Sequence, residues 1–274
     1  MTEDEELRKK ILARLEKAGY PLEMRVAAKI REHGPFNVSQ SQNYVDPVTN
    51  KIRETDVLAS WVIDIEGHSS VSATYFYLVV ECKSKPQPWV AFDGGIRTPP
   101  EEPEDNLLMT PHLYGGDGTN QLLLQSLINF EDTHTASTIF SPIEKGMSTA
   151  IVEISLRETS NSNETNKAWA AVQSATAAAH GLLEGSKKFL RAVSSHVGHV
   201  AIIYAPVVVT SGKLFRCWLN EQGNTDLKEI HRTEIAVRLS PELPLSRCIV
   251  VSEAGLGSLL AQLDATQNAL LMTS

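Results

Sequence analysis

Glu81 and Lys83 carry the most informative chemistry in this sequence. They close the run Leu78-Val79-Val80-Glu81-Cys82-Lys83, which Ser84-Lys85-Pro86 terminates. Side chains alternate along a strand, so Glu81 and Lys83 share one face and Cys82 points to the other. An acid and a base at the end of an apolar, buried strand are costly unless they act together. Upstream, Arg53-Glu54-Thr55-Asp56 opens a neighbouring strand, and hairpin pairing could bring Asp56 opposite Glu81. Two carboxylates converging from adjacent strands suit a hard divalent ion such as Mg²⁺. A lysine beside them can position an attacking water and offset charge on a pentacovalent phosphorus.

The surrounding pattern supplies elements to hold these groups. Residues 3–18 carry Leu7, Ile11 and Leu15 at helical spacing, with charges on the other face. Pro21 suits the start of a second helix, with Leu22, Val26 and Ile30 on one stripe and a stop at His33-Gly34-Pro35. Strands are expected at 36–44, 55–65 and 73–83, the last two as an antiparallel hairpin. The run YFYLVV marks the third as a central strand buried on both faces. Residues 93–147 read as an irregular insert marked by Pro99, Pro100, Pro103 and Pro111, an acidic cluster and GGDG, with helical pattern only at 120–130. A strand near 149–156 and an alanine-rich helix over about 166–183 follow. Strands at 200–210 and 214–220 are expected to form a hairpin across Ser211-Gly212. Strands near 227–239 and 248–252 and a helix near 253–264 complete the chain. The expected fold is one mixed α/β domain, with its core at about 20–92 and 148–264 and the insert at 93–147.

In this order the sequence resembles the PD-(D/E)xK, or restriction-endonuclease-like, nuclease superfamily. There a helical Glu precedes a strand Asp, and a Glu-x-Lys follows on the next strand. The matching residues are Glu23 in GYPLEMRVAAKI, Asp56 in the RETD turn, and Glu81 with Lys83 in VVECKSKPQPWVAF. Pro88-Trp89, soon after the Glu-x-Lys, is similar to bacterial members. The resemblance covers about residues 20–92 and extends more weakly to the helix containing Gln173 and to VVVTSGKLF. It implies a mixed central sheet flanked by helices and metal-dependent phosphodiester hydrolysis, with Mg²⁺ as cofactor, Mn²⁺ as substitute and DNA as the expected substrate. Asp56 and Glu81 would be the metal ligands, Lys83 would position the water, and Glu23 would support the metal's water shell. The family's eponymous proline is absent before Asp56, where Thr55 stands.

Other readings stay open for individual residues. Glu23 could be a first-turn acid complementing the helix dipole, and Asp56 a turn residue paired with Arg53. Lys85 could contact phosphate or guard a strand edge. Gln173, a polar residue in the apolar helix AWAAVQSATAAA, could reach the site or cap a helix–sheet contact. Asp226-Leu-Lys228 also fits the acid-x-Lys pattern, but it follows the turn-like NEQGNT and reads as a solvated strand end. Two rival functions stand beside the nuclease: a catalytically latent nuclease-fold module that binds a partner, and a plain α/β scaffold.

Composition narrows the setting. The chain has 274 residues, 42% of them hydrophobic, enough for a sizeable core. No stretch approaches the roughly 18 apolar residues that span a bilayer, so no membrane partner is expected. Cys82, Cys217 and Cys248 are far apart and never form a CxxC pair. They fit a reduced, cytoplasmic interior. His196 and His199 are the one metal-like histidine spacing, in a stretch that reads as a turn entering a strand. The net charge of −8 argues at face value against a polyanionic partner. Yet residues 93–147 hold two basic and nine acidic residues, so that window carries −7 and the remainder −1. The insert is therefore expected to gate a groove or to dock a protein partner or a second copy, with a solvated loop as the alternative, and a local basic groove in the core stays open.

Overall fold

Two helices open the chain. The first, α1 (Glu3–Ala18), and the second, α2 (Tyr20–His33), are separated by Gly19. Gly19 adopts φ 96°, a left-handed conformation that side chains disfavour, and this lets the chain turn sharply before Pro21 enters the first turn of α2. In α2 the four-residue spacing of Leu22, Val26 and Ile30 buries all three against the sheet. The computed structural model describes residues 3–34, 36–64, 73–96, 112–114, 138–139, 147–156, 166–193, 200–243 and 245–271.

The chain then runs β1 (Asn37–Val45), β2 (Ile52–Asp64), β3 (Ala73–Lys83), β4 (Trp89–Ile96), β5 (His112–Tyr114) and β6 (Met147–Glu153). Helix α3 (Lys167–Val193) leads to β7 (Val200–Thr210), β8 (Leu214–Leu219), β9 (Thr225–Ile230), β10 (Arg232–Val237) and β11 (Ser246–Ser252). A 3-10 turn, Glu253–Gly255, then enters α4 (Leu256–Leu271). Among the described residues eleven strands form one mixed sheet: ten follow the order β1-β2-β3-β7-β11-β10-β6-β4-β8-β9, and β5 pairs with β7 off this path. β1, β2 and β3 are antiparallel, and β7 runs parallel to β3 along all eleven residues.

Helices cover both faces. On one, α2 and α4 bury Leu22, Val26, Ile30, Leu259 and Leu263 against Val57, Phe76, Leu78, Val80, Val207 and Val209. On the other, α3 packs Ala168, Ala171, Val172, Ala175, Ala178 and Ala179 against the alternate strand residues. Its alanines keep the helix close to the sheet. At Gly181 the approach is closer still, since an added Cβ would lie 2.3 Å from the Val45 carbonyl. The burial of β3 on both faces bears out the expected central strand.

Several expectations need correction. β7 and β8 do not form a hairpin: β8 pairs with β4 and β9 instead. The reason is the step between strands. The linkers 84–88 and 211–213 run side by side, tied by Ser211 N–H to the Lys83 carbonyl (3.0 Å) and Trp89 N–H to the Lys213 carbonyl (2.8 Å). The parallel pair β3/β7 is thereby followed by the parallel pair β4/β8. The strand expected at 227–239 is two strands, β9 and β10, broken at His231, whose carbonyl accepts the Ser252 N–H. Asp93 belongs to β4 and pairs with Arg216 at 2.8 Å, so regular structure extends to Ile96, and β5 lies within the expected insert. Ile139 is also tied to the core. It is fully buried, its N–H donates to Thr266 Oγ1, and its carbonyl accepts from Arg232 and Arg247, which share the buried Glu234. The expected helix at 120–130, the acidic and GGDG segments, and His196 with His199 lie outside the described residues.

Gly212 is where the two linkers touch. A Cβ there would sit 2.2 Å from the Gln87 carbonyl and 3.0 Å from that of Lys85. Gly212→Ala must push the linkers apart, and we expect it to cost about 1–3 kcal/mol, as overpacking does. Urea unfolding of the variant beside the wild type measures this.

Candidate functional site

The β2–β3 register decides the site. Val57 lies opposite Val80, and one further step places Asp56 opposite Glu81. Val57 and Val80 face α2, so Asp56 and Glu81 face the other way, toward α3. Thr55 Oγ1 donates to the Val80 carbonyl at 3.3 Å, and the Cys82 N–H donates to Asp56 Oδ2 at 2.6 Å. The carboxylate of Asp56 is thus fixed directly to the backbone of the Glu-x-Lys strand. Lys83 and Glu81 form an ion pair through Lys83 Nζ and Glu81 Oε1. From α3, Ser174 Oγ donates to Glu81 Oε2 at 3.2 Å.

These groups line a cleft of about 610 Å³. Its floor is Asp56, Glu81, Cys82 and Lys83. One wall is the α1–α2 elbow, with Ala18, Gly19 and Glu23, and the other is the start of α3, with Lys167, Ala170, Ala171 and Ser174. Arg53, Ser84, Lys85 and Glu153 complete the rim. Of the residues expected at the site, Glu23, Asp56, Glu81, Lys83 and Lys85 all border this cleft. Gln173 does not. It is exposed, and Ser174, one position later on the helix, is the residue that reaches Glu81. The alanine-rich pattern flagged the right helix, but it does not single out a serine, which is unremarkable in such a run. Arg53 pairs with Asp46 at 2.7 Å, not with Asp56. Asp46 itself is fixed by the N–H groups of Val48 and Thr49, both at 2.9 Å, in the β1–β2 turn. Asp226 and Lys228 lie on the exposed edge strand β9, as a solvated strand end should.

Electrostatics follow from the crowding of acids. Burial, and then the neighbouring Glu81, raise the Asp56 carboxyl to a pKa of about 7; the Cys82 N–H and Lys83 oppose the shift. Burial also raises Glu23, helped by Glu54 and Glu81. Burial alone would lower the Lys83 ammonium, but Glu81 outweighs it and the net shift is upward, so Lys83 is a cation rather than a ready base. Burial pushes the Cys82 thiol well up, with Asp56 adding to it, which excludes a thiolate at this position.

The donor set suits a hard cation. All the acids are oxygen donors, and burial, followed by the neighbouring Glu81, raises Asp56 even though the Cys82 N–H and the Lys83 cation oppose the shift. Among the described residues no cluster of three or more His, Cys, Asp or Glu side chains is drawn together tightly enough to enclose a metal ion. Asp56 and Glu81 are the residues that could hold a hard divalent cation through carboxylate oxygens. Among the described residues no helix is long and apolar enough to cross a membrane. No family model, no curated protein and no solved structure matches this chain.

The raised pKa of Asp56 has a thermodynamic consequence. An unfolded aspartate titrates near 4, so between about pH 4 and pH 7 the folded chain holds a proton that the unfolded chain has released. Stability therefore falls as pH rises through that window. Without metal, Asp56→Asn should melt a few degrees higher than wild type at pH 8, and the difference should vanish near pH 4. Thermal melts across this range check the sign.

Proposed function

We propose that this chain is a metal-dependent nuclease of the PD-(D/E)xK type, on a restriction-endonuclease-like core, that hydrolyses phosphodiester bonds of DNA. The observation that carries the reading is the register that sets Asp56 opposite Glu81 beside Lys83, at the floor of an open cleft. The helix α2, the antiparallel strands β1–β3 and the sequence order Glu23, Asp56, Glu81, Lys83 support it. Asp56 and Glu81 would hold Mg²⁺, which supplies a Lewis acid for the phosphoryl oxygen and an acidified water. The cationic Lys83 would orient the water and balance charge as phosphorus becomes pentacovalent, and Glu23 would accept hydrogen bonds from water around the ion. Ser174 would keep the Glu81 carboxylate in one rotamer.

Charge explains why metal and substrate belong together. The cleft has four acids, Glu23, Asp56, Glu81 and Glu153, and four bases, Arg53, Lys83, Lys85 and Lys167. It is formally neutral until a divalent ion makes it positive toward a polyanion. Glu81→Ala and Lys83→Ala should each reduce Mg²⁺-dependent cleavage of plasmid or single-stranded DNA by about 10²–10⁴-fold, with the fold unchanged by circular dichroism. A wild type inert with both Mg²⁺ and Mn²⁺, on DNA and RNA alike, would end this reading.

A latent, partner-binding module is the second reading, and one observation favours it. Both oxygens of Glu81 are already engaged, by Lys83 and by Ser174. Calorimetry separates the two. A catalytic site should bind Mn²⁺ more tightly as pH rises from roughly 6 to roughly 8, because the proton on Asp56 must leave, and should lose that binding in Asp56→Ala.

A further inference from the structure

The hydroxyl of Tyr44 is sealed from solvent and makes no hydrogen bond among the described residues. Buried hydroxyls are almost always paired, so an orphan of this kind needs a reason. Tyr44 packs with Val79, Ala177 and Ala178 on the α3 face of the sheet. Its ring passes close to Gly181, where an added Cβ would lie 2.9 Å from Cδ2. The phenol then reaches toward Ser174, the helix residue that donates to Glu81 Oε2 at 3.2 Å. Burial raises the pKa of the phenol, Ser174 opposes the rise, and Asp46 and Glu81 add to it. Ser174 is therefore near, although the two hydroxyls are not closed into a full hydrogen bond.

Regular alternation would not put Tyr44 there. Val38 packs on the α2 face, and six residues later an undistorted strand would return to that same face. Ser41 breaks the alternation. It adopts φ 58°, while pairing with β2 continues in one register on either side, Gln40 with Val57 and Gln42 with Thr55. In that register Ser41 stands opposite Asp56. A left-handed conformation is disfavoured for a serine. Here it turns Tyr44 over onto the face that carries Asp56 and Glu81.

The direction of hydrogen bonding is set by the acid. As a carboxylate Glu81 can only accept, so Ser174 gives it a proton and keeps lone pairs to receive another. Each Glu81 oxygen retains a further lone pair, so holding the side chain in place does not prevent it from binding an ion.

We propose that Tyr44 is a positioning residue: its hydroxyl donates to Ser174 and through it fixes the Glu81 carboxylate in the rotamer that faces the cleft as a metal ligand. The ligand role of Glu81 rests on the nuclease reading, whereas the relay of hydroxyls does not.

Calorimetry with Mn²⁺ and urea unfolding without metal test it together. Ser174→Ala should weaken Mn²⁺ binding by about tenfold, as loss of a group that orients a ligand does. Tyr44→Phe keeps the ring and acts one bond further out. It should weaken binding by about threefold or more, and by nothing further in the Ser174→Ala background. Tyr204→Phe is the control: its hydroxyl also lies under α3 but shares a hydrogen bond with Ser186 Oγ at 2.9 Å, and its loss should leave Mn²⁺ binding unchanged. In metal-free protein, Tyr44→Phe and Glu81→Gln should be coupled by about threefold or more in the unfolding equilibrium constant. That coupling should vanish when Ser174 is replaced by alanine. A Tyr44→Phe variant that binds Mn²⁺ as wild type does, an equal loss from Tyr204→Phe, a loss that persists in Ser174→Ala, or absent coupling would each overturn the proposal. A wild type that binds no Mn²⁺ ends the nuclease reading instead, and the unfolding cycle alone then decides whether the relay exists.

Discussion

A carboxylate buried at the end of the central strand is the constraint around which this molecule is arranged. Glu81 is 7% exposed, and an unpaired charge in such a place costs several kcal/mol. Three elements share in compensating it. Lys83 comes from the same face of the same strand, Ser174 comes from α3, and Asp56 across the hairpin relieves the crowding by holding its proton up to about pH 7. None of these groups is in place unless β2 pairs with β3 in one register and α3 lies close to the sheet. The alanine face of α3 and the glycine at 181 are what permit that approach.

The strand that bears Glu81 is itself held from the far side. β7 pairs with all eleven residues of β3, and the two strands end together at linkers that hydrogen-bond to each other. Gly212 lets the backbones meet just beyond the floor of the cleft, where Lys85 of the linker and Glu153 at the end of β6 form part of the rim. Sites of this kind favour precise placement of charge, because strand backbones move less than loops.

Net charge alone is a poor guide to this protein. The total of −8 is concentrated in the window 93–147, whereas the cleft residues are balanced and α1 is neutral but strongly polarised. Local distribution, not the sum, determines which surfaces can meet a polyanion, a cation or another copy of the chain.

The sequence by itself determined the elements whose signal is local. The periods of 3.6 in α1 and α2, the apolar run of β3 and the alternation that puts Glu81 and Lys83 on one face were all legible, as was the pairing of Asp56 with Glu81, because a hairpin register is set by neighbouring residues. It did not determine contacts between distant segments. Ser174 could not be told from Gln173, since which helix residue faces a carboxylate depends on how α3 lies across the sheet. The adjacency of β7 and β8 in the chain suggested a hairpin, but the parallel partners β3 and β4 captured them instead, because a buried strand edge must be paired along its whole length. The exposure of Leu7, Ile11 and Leu15 on α1 was likewise invisible, as an apolar period predicts a buried face and nothing local says whether one forms.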